Sequence, residues 1–504
     1  MMKPRAKDGR DMARLLHDFG HELPRVPAPV PTPKDPRLFH YAANGGAKRR
    51  GRGWAPAKAP VTSWRMTSDQ APVFWPFVAT PGLPPTGAQM GIDQLSGGSF
   101  FVDPLGWVLN DGISVTNPNI MQFGKPGRGK SGNTKAFCLR MMDFGYRTLI
   151  LGDPKDEYEK LCRALGVEPF AIGPGLSARI NPLAFGPLGQ GWDKLDPAEA
   201  QRRGAIIFGR WLTLVRGLVG SQRIGENRVP FGPTDEVVVK NALRSLTGYS
   251  SGASQLREIT IPELWHLLDN PTEELIAECR YDSARHFLDE TRLLRDALGQ
   301  LVSGALAGLF DTHTTIDVDW NAPIQSLSLS RLDALGDDAM GIALTCLGSW
   351  GRGMREMAQP GDLRIVVRDE VWKQFRLGPE AVKAYDSDLR LSRAAGDIQW
   401  ANAHKPSDPM SAGDEGSQAV AIAKDLMHLA DIKILMGQDS AIGDELERLL
   451  GLGPIARSLI TGWGMQGKGR GLWVVGEQMY KVQTVLHPLE RDLTFTNEAI
   501  ESAA

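Results

Sequence analysis

The sequence predicts an α/β fold built around a mostly parallel β-sheet with a helical insertion. Short apolar runs alternate with segments of helical spacing from about residue 85 to 185, a leucine-rich helical stretch follows at 190–305, and apolar runs then resume. Strands that alternate with helices are typical of parallel sheets, because each parallel connection must cross back over the sheet. We therefore expect one sheet whose strands lie on both sides of the insertion.

One loop in the first of these segments has the composition of a phosphate-binding loop. An apolar run at 120–123 is joined to helical spacing at 134–142 by Gly124, Lys125, Pro126, Gly127, Arg128, Gly129, Lys130, Ser131 and Gly132. Glycines let successive backbone N–H groups point at phosphate oxygens, and the start of a helix adds partial positive charge. The segment predicts a nucleoside triphosphate site in a RecA-like P-loop NTPase sheet.

Two side chains of this loop and two later acids supply the expected chemistry. Lys130 can reach the β- and γ-phosphate oxygens, and the Ser131 hydroxyl can ligate Mg²⁺. The strand at 365–367 leads to Asp369 and Glu370. An acid at such a strand end holds the Mg²⁺ shell, and a following glutamate can deprotonate the attacking water. We expect ATP and Mg²⁺ as ligands, Ser131 and Asp369 at the metal, and Glu370 as the base.

Arg368 departs from this pattern, because the residue before the paired acids is usually apolar. Either its side chain points out between the strands, or the strand register is shifted by one residue. Asp153, Lys155 and Glu157, which follow the predicted strand 148–151, also have two interpretations. They could support the site at the carboxyl edge of the sheet, or they could be helix N-terminal charges.

The remaining segments predict the domain organisation. An all-α insertion at 190–305, opened by an Asp196–Pro197 cap and containing a capping box at 260–263, divides a motor domain into 71–189 and 306–495. Residues 1–70 are rich in proline and include a basic stretch at 48–52, which predicts a disordered tail, and 496–504 form a C-terminal tail. The N-terminal tail is either a docking arm or a solubilising leader. The basic glycine loop at 467–470 either approaches a nucleotide or a neighbouring subunit, or only leads into a hairpin.

Composition limits the functional classes. The formal net charge of −2 gives no global case for coating nucleic acid. Four cysteines without a C-x-x-C pair indicate reduced thiols and argue against structural zinc. No apolar run is long enough to span a bilayer, and the N-terminus has no signal-peptide core. We expect a cytoplasmic protein whose contact with the inner face of the cell membrane, if any, is peripheral.

Taken in order, these motifs resemble those of a known family. The Walker loop is followed by Asp153-Pro154-Lys155, Ile180-Asn181-Pro182, Asp369-Glu370-Val371-Trp372, and Arg393 with His404 and Asp408. The order resembles the VirB/TraC class of conjugative type IV secretion ATPases, within the HerA–FtsK superfamily of P-loop motors. The likeness covers roughly residues 85–495, and we expect no counterpart of the large N-terminal domain typical of the secretion ATPases.

The resemblance implies roles for two more residues. His404, where such motors often have glutamine, would follow strand 398–403 beside the γ-phosphate and donate one hydrogen bond that senses hydrolysis; otherwise it is an ordinary surface histidine. Arg393, eleven positions earlier, would reach a neighbouring subunit's nucleotide and neutralise charge in the transition state. Otherwise Arg393 is a solvated arginine at a helix end.

The resemblance therefore implies a homo-hexameric ATPase that powers conjugative DNA transfer or secretion, together with channel or conjugation components. Two alternatives remain open. One is a DNA-pumping translocase of the coupling-protein or HerA–FtsK type, which would contact DNA directly. The other is a nucleotide-gated scaffold that does not hydrolyse ATP, a view that Arg128 and Arg368 favour and that Lys130, Asp369 and Glu370 oppose.

Overall fold

The structure of the 504-residue chain is a computed structural model. The structure describes residues 82–495 apart from 226, 250–255, 305, 317–318, 320, 360, 376–378 and 408–417. Both predicted tails, residues 71–81 of the predicted motor domain and Asp408 therefore lie outside the described residues. The described residues all belong to one compact unit of the chain.

The strands form one large sheet and one small hairpin. Their bounds are β1 (Ala88–Asp93), β2 (Ser99–Val102), β3 (Ile120–Phe123), β4 (Tyr146–Asp153), β5 (Phe170–Ala171), β6 (Arg223–Ile224), β7 (Asn227–Arg228), β8 (Ile324–Ser328), β9 (Leu363–Arg368), β10 (Asp397–Ala403), β11 (Ile432–Met436), β12 (Arg470–Val475) and β13 (Gln478–Thr484). Within the described residues the large sheet has eleven strands in the order β2-β1-β13-β12-β11-β3-β10-β9-β4-β8-β5.

Helices connect these strands. Their bounds are α1 (Pro104–Val108), α2 (Lys130–Met141), α3 (Glu159–Ala164), α4 (Pro197–Ser221), α5 (Pro233–Thr247), α6 (Ile261–Asp269), α7 (Glu273–Glu278), α8 (Ala284–Glu290), α9 (Arg292–Ser303), α10 (Asp337–Glu356), α11 (Val371–Phe375), α12 (Pro379–Ala395), α13 (Gln418–Leu429), α14 (Ser440–Leu450), α15 (Pro454–Thr461) and α16 (Pro488–Thr494). Among the helices that the structure describes, none combines the length and the apolar composition that crossing a membrane requires.

The sheet is parallel from β11 across to β5 and antiparallel from β12 across to β2. Every residue of β3 and of β10 is buried, which fits strands that are covered on both faces. Because successive side chains alternate between faces, Leu149 and Leu151 join one core layer with α4 and α10, whereas Ile150 joins the opposite layer with α2. The predicted α/β class with a P-loop sheet is confirmed.

The segment between β5 and β8 carries six helices within its described residues, α4 to α9. Asp196 accepts backbone hydrogen bonds at the start of α4, and Thr260 and Glu263 form the capping box that opens α6. The expectation of an all-α insertion needs one correction, because β6 and β7 pair as a hairpin at Arg223–Arg228 and Ile224–Asn227. These strands are too short to give an apolar period in the sequence.

Arg368, the unusual residue at the end of β9, is buried in a charged cluster. Its guanidinium donates to Asp388 of α12 at 2.7 Å and to Gln399, and it lies 4.9 Å from the ring centre of Tyr385. Asp388 also pairs with Arg355 at 2.8 Å and with Arg352 at 3.7 Å. The expected strand register is therefore retained, and Arg368 serves to join β9 to α12.

We predict that Asp388→Ala lowers the free energy of unfolding by about 3–5 kcal/mol, because it leaves buried guanidinium groups without their counter-charge. Asp386→Ala is the matched control on the same helix, since Asp386 pairs with Arg390, which is 57% exposed, and it should cost less than about 1 kcal/mol. Denaturant unfolding at pH 7 measures both. Equal effects of the two substitutions would show that the cluster does not stabilise this region.

Candidate nucleotide-binding site

The loop between β3 and α2 has the backbone geometry of a phosphate cradle. Gly127 and Gly129 have φ angles of 79° and 96°, a region that favours glycine. Gly129 is the N-cap of α2, and no side chain caps this helix. The first N–H groups of a helix lack partners within the helix. Those of α2 are therefore suited to bind an anion.

The loop borders a cavity of about 710 Å³, within the range of small-molecule sites. Predicted residues that line it are Pro126, Gly127, Gly129, Lys130, Ser131, Gly132, Asp369, Glu370 and His404. The structure thus brings together the phosphate loop and the two acids, Asp369 and Glu370, which are far apart in the sequence. Asp153, Lys155 and Glu157 also line the cavity, so all three lie where residues that support the site were expected.

Three predicted loop residues lie outside the cavity lining and instead fix the loop. The Gly124 carbonyl accepts a hydrogen bond from Lys130 Nζ at 2.6 Å. Lys125 forms an exposed ion pair with Asp439 at 2.9 Å. Arg128 donates to the carbonyl of Met465 at 2.8 Å, and its own carbonyl accepts from the Gly469 N–H at 2.9 Å. The glycine loop before β12 therefore supports the phosphate loop directly.

A chain of hydrogen bonds joins the catalytic candidates. Lys130 Nζ lies 3.0 Å from His404 Nδ1, His404 Nε2 lies 2.9 Å from Glu370 Oε1, and Lys155 Nζ donates to the same oxygen at 2.7 Å. Burial lowers the pKa of Lys130 despite the nearby charges of Glu370 and Asp369. Lysine, histidine and glutamate thus form one connected group at one end of the cavity.

Glu370 is held in its ionised form. Burial opposes ionisation, but hydrogen bonds from His404 and Lys155 outweigh it, so the pKa of Glu370 lies well below its usual range. Its φ of 53° is rare for a residue with a side chain, and such conformations cluster at functional sites. A carboxylate beside the phosphate loop can orient a water molecule and accept its proton, and it becomes a stronger base when His404 or Lys155 releases it.

Asp369 occupies the position expected of a metal ligand. Its carboxylate accepts from Asn402 Nδ2 at 2.7 Å and from the Tyr158 hydroxyl at 3.2 Å. Burial raises its pKa to about 6, and the charge of Glu157 adds to this. Asp369 and Ser131 line the same cavity, and carboxylate and hydroxyl oxygens are the ligands that Mg²⁺ prefers. The donor set therefore fits Mg²⁺.

Asn402 is a site residue that the sequence did not reveal. It is buried near the end of β10 and contacts Gln122, Thr134 and Trp400 as well as Asp369. It therefore links β3, α2 and β9 around the phosphate loop. The only signal in the sequence is a polar residue at the end of an apolar strand, which also occurs at strands with no site.

Asp153 has a different role from its neighbours. It is buried and accepts backbone N–H groups of Lys155, Glu157 and Tyr158 at 3.3, 3.0 and 2.7 Å. Burial raises its pKa to about 7, although these hydrogen bonds act in the opposite direction. Asp153 therefore shapes the turn after β4, and this turn carries Lys155 to the cavity.

Arg393 lies far from its own nucleotide cleft. It is exposed in the last turn of α12, and it does not line the cavity. α12 ends just before β10 begins, whereas His404 follows the other end of β10. The length of this strand, roughly 20 Å at about 3.3 Å per residue, separates the two positions. Arg393 is therefore not placed to act on a nucleotide of its own subunit.

The last part of the chain contributes a wall that the sequence analysis did not include. Thr484, Val485, Leu486, Thr494 and Phe495 line the cavity, and so do Lys468 and Gly469 of the basic glycine loop. Strand order explains this proximity, because β12 and β13 lie beyond β11 on one side of β3. Of this wall, the sequence predicts only the loop at 467–470 near a nucleotide.

The fold is that of RecA-like P-loop NTPases. The structure is similar to that of VirB4 of Thermoanaerobacter pseudethanolicus, with a TM-score of 0.63 and 20% sequence identity over 82% of this chain and 100% of that one. It is also similar to the unbound monoclinic form of the bacterial conjugative coupling protein TrwBdeltaN70, with a TM-score of 0.50 and 12% identity over 80% of this chain and 90% of that one.

No protein-family model matches the chain, and no curated protein sequence matches it. At the identities found for VirB4 and TrwB, the similarity establishes the fold. The chain thus has the fold of these conjugative P-loop proteins, and the resemblance that the motifs indicated is confirmed at this level.

We predict that Gly129→Ala lowers the free energy of unfolding by about 1–3 kcal/mol. A Cβ there would lie 3.1 Å from the Gly469 backbone nitrogen, and the φ of 96° would be strained. Gly166→Ala is the matched control, because its φ is 75° but no atom lies within 4 Å of the added Cβ. Denaturant unfolding compares the two variants. If Gly166→Ala lowers the free energy of unfolding as much as Gly129→Ala does, close packing of Gly469 against the phosphate loop is contradicted.

Proposed function

We propose that this chain is the ATP-hydrolysing motor of a conjugative DNA-transfer or type IV secretion system. The observation that carries the proposal is the connected group of Lys130, His404, Glu370 and Lys155 at the edge of the phosphate loop. A protein that only bound nucleotide would need the loop but not a glutamate and a histidine joined to the loop lysine. The VirB4-like fold supports the choice of system.

Each residue then has a defined task. The N–H groups at the start of α2 and Lys130 bind the β- and γ-phosphates, and Lys130 would exchange its present partners for phosphate oxygens. Glu370 takes the proton of the attacking water, and His404 contacts both Lys130 and Glu370 so that it senses whether the γ-phosphate is present. Ser131 and Asp369 would hold Mg²⁺, which neutralises phosphate charge when bound.

The oligomer and partners belong to the same proposal. A homo-hexamer would place Arg393 of one subunit at the cleft of the next, and the motor would work in the cytoplasm at the inner membrane face with channel or conjugation components. The rival function, a DNA-pumping translocase, shares this cleft and differs in its response to DNA. The non-hydrolysing scaffold gives no reason for His404 to join Glu370 to Lys130, so the contacts among these three residues favour hydrolysis.

We expect purified protein to hydrolyse ATP with Mg²⁺, and Lys130→Ala to abolish turnover because the phosphate charge loses its counter-ion. Phosphate release measures turnover, and an unchanged thermal midpoint shows that the variant is folded. Lys240→Ala, an exposed lysine of α5, should retain wild-type turnover. Turnover that survives Lys130→Ala would contradict the site. Strong stimulation by single- or double-stranded DNA would favour the translocase.

We predict that Arg393→Ala reduces turnover by about 10³-fold or more while ATP affinity changes little, since an arginine finger acts on the transition state. Arg390→Ala is the matched variant, because Arg390 already pairs with Asp386 in its own helix, and it should have a much smaller effect. Mixing Arg393→Ala with Lys130→Ala subunits should restore some activity, because one junction can combine an intact cleft with an intact arginine. Mixed assemblies without recovery would rule out action in trans.

A further inference from the structure

The cavity beside the phosphate loop extends well beyond the catalytic residues. Strand β3, which leads into the loop, lies between β10 and β11 in the sheet. Asp369, Glu370 and His404 follow β9 and β10 on one side of β3. On the other side, beyond β11, lie β12 and β13, which carry the remaining lining residues. The cavity therefore has a catalytic end and a second end to which no role has been assigned.

The second end is formed by the segment from Thr484 to Phe495, which we call the C-terminal wall. Its lining residues are Thr484, Val485, Leu486, Arg491, Thr494 and Phe495, so aliphatic and aromatic carbon lies beside two hydroxyls and one guanidinium. A Cβ added at Gly132 would lie 3.8 Å from Thr494 Cβ, so the wall stands over the first turn of α2. Apolar side chains with a few polar groups among them, next to a phosphate cradle, have the composition of a site for a flat, weakly polar group.

A partly buried ion pair anchors the wall to the helix that follows the phosphate loop. Arg140 of α2 binds Glu490 of α16 through two hydrogen bonds of 2.7 and 2.6 Å, and it also donates to the Val485 carbonyl at 2.7 Å. The Arg140 and Glu490 side chains are only 19% and 12% exposed. His487 and Glu490 form the capping box of α16. The wall is thus held in a fixed position relative to α2.

The direction of a bound nucleotide follows from these placements. Lys130 and Glu370 must face the γ-phosphate, and the start of α2 must face the phosphates as a group. The ribose and base then extend away from the catalytic end, where the C-terminal wall provides the free surface. We propose that the C-terminal wall binds the nucleobase, with Phe495 and Leu486 as its apolar contacts. The inference rests on the proposed nucleotide-binding function and assigns it a second subsite.

The test compares two ligands that share the phosphates and differ in the base. Titration calorimetry with Mg²⁺ measures the affinity of the full chain for a non-hydrolysable ATP analogue and for inorganic tripolyphosphate. Phe495→Ala should lower the affinity for the ATP analogue by about tenfold, since base stacking on an aromatic ring has roughly this effect. The same substitution should leave the affinity for tripolyphosphate unchanged. Phe495→Trp should retain the affinity for the analogue.

Two further variants distinguish a specific loss of base binding at the wall from a general loss of protein structure. Glu490→Gln does not touch the cavity but weakens the anchor, so it should reduce binding of the analogue and not of tripolyphosphate. Leu489→Ala, on the same helix, 69% exposed and outside the cavity lining, should bind both ligands like the wild type.

The remaining outcomes overturn the proposal in distinguishable ways. If the wild type binds both ligands equally well, or if Phe495→Ala weakens both equally, the wall does not recognise the base although the nucleotide site stands. If the wild type binds neither ligand, the proposed function fails together with the subsite.

Discussion

The ion pair between Arg368 and Asp388 fixes the strand end on which the candidate site depends. Successive residues of a strand point to opposite faces. Because Arg368 is drawn to α12 on one face, Asp369 must point to the other, where it meets Asn402 and Tyr158. Burying several guanidinium groups around one carboxylate is costly unless their positions are well defined. The cluster therefore holds the end of β9 in one orientation.

Glu370 follows Asp369, so its position depends on the fixed end of β9. Glu370 adopts a left-handed backbone conformation, which turns its side chain toward His404 and Lys155. His404 then contacts an anion through one ring nitrogen and the Walker lysine through the other. A change at either group reaches the other through a single imidazole ring. This geometry gives a physical basis for coupling phosphate contact at Lys130 to the state of the base.

The sequence predicts those parts of the site that are formed by residues adjacent in the sequence. The glycine loop, the strand before it and the two acids are contiguous patterns, and the structure places them as expected. The C-terminal wall was missed because it reaches the site only through strand order, which a single sequence does not reveal. Asn402 was missed because a polar residue at a strand end does not by itself mark a site. Arg368 illustrates the same limit, since its anomaly was visible but its partner Asp388 belongs to a separate helix.

Helix α12 links the candidate site of its own subunit to the proposed contact with a neighbouring subunit. It carries Asp388, which holds the catalytic strand of its own subunit, and Arg393 in its last turn. If Arg393 completes the cleft of a neighbour as proposed, the same rigid helix contacts one subunit's acids and the next subunit's nucleotide. A shift of α12 on hydrolysis next door would then act on β9 through the buried Arg368–Asp388 pair. No other element would have to move to couple the subunits. If α12 moved without β9, the buried arginines would lose the counter-charge of Asp388, which is costly.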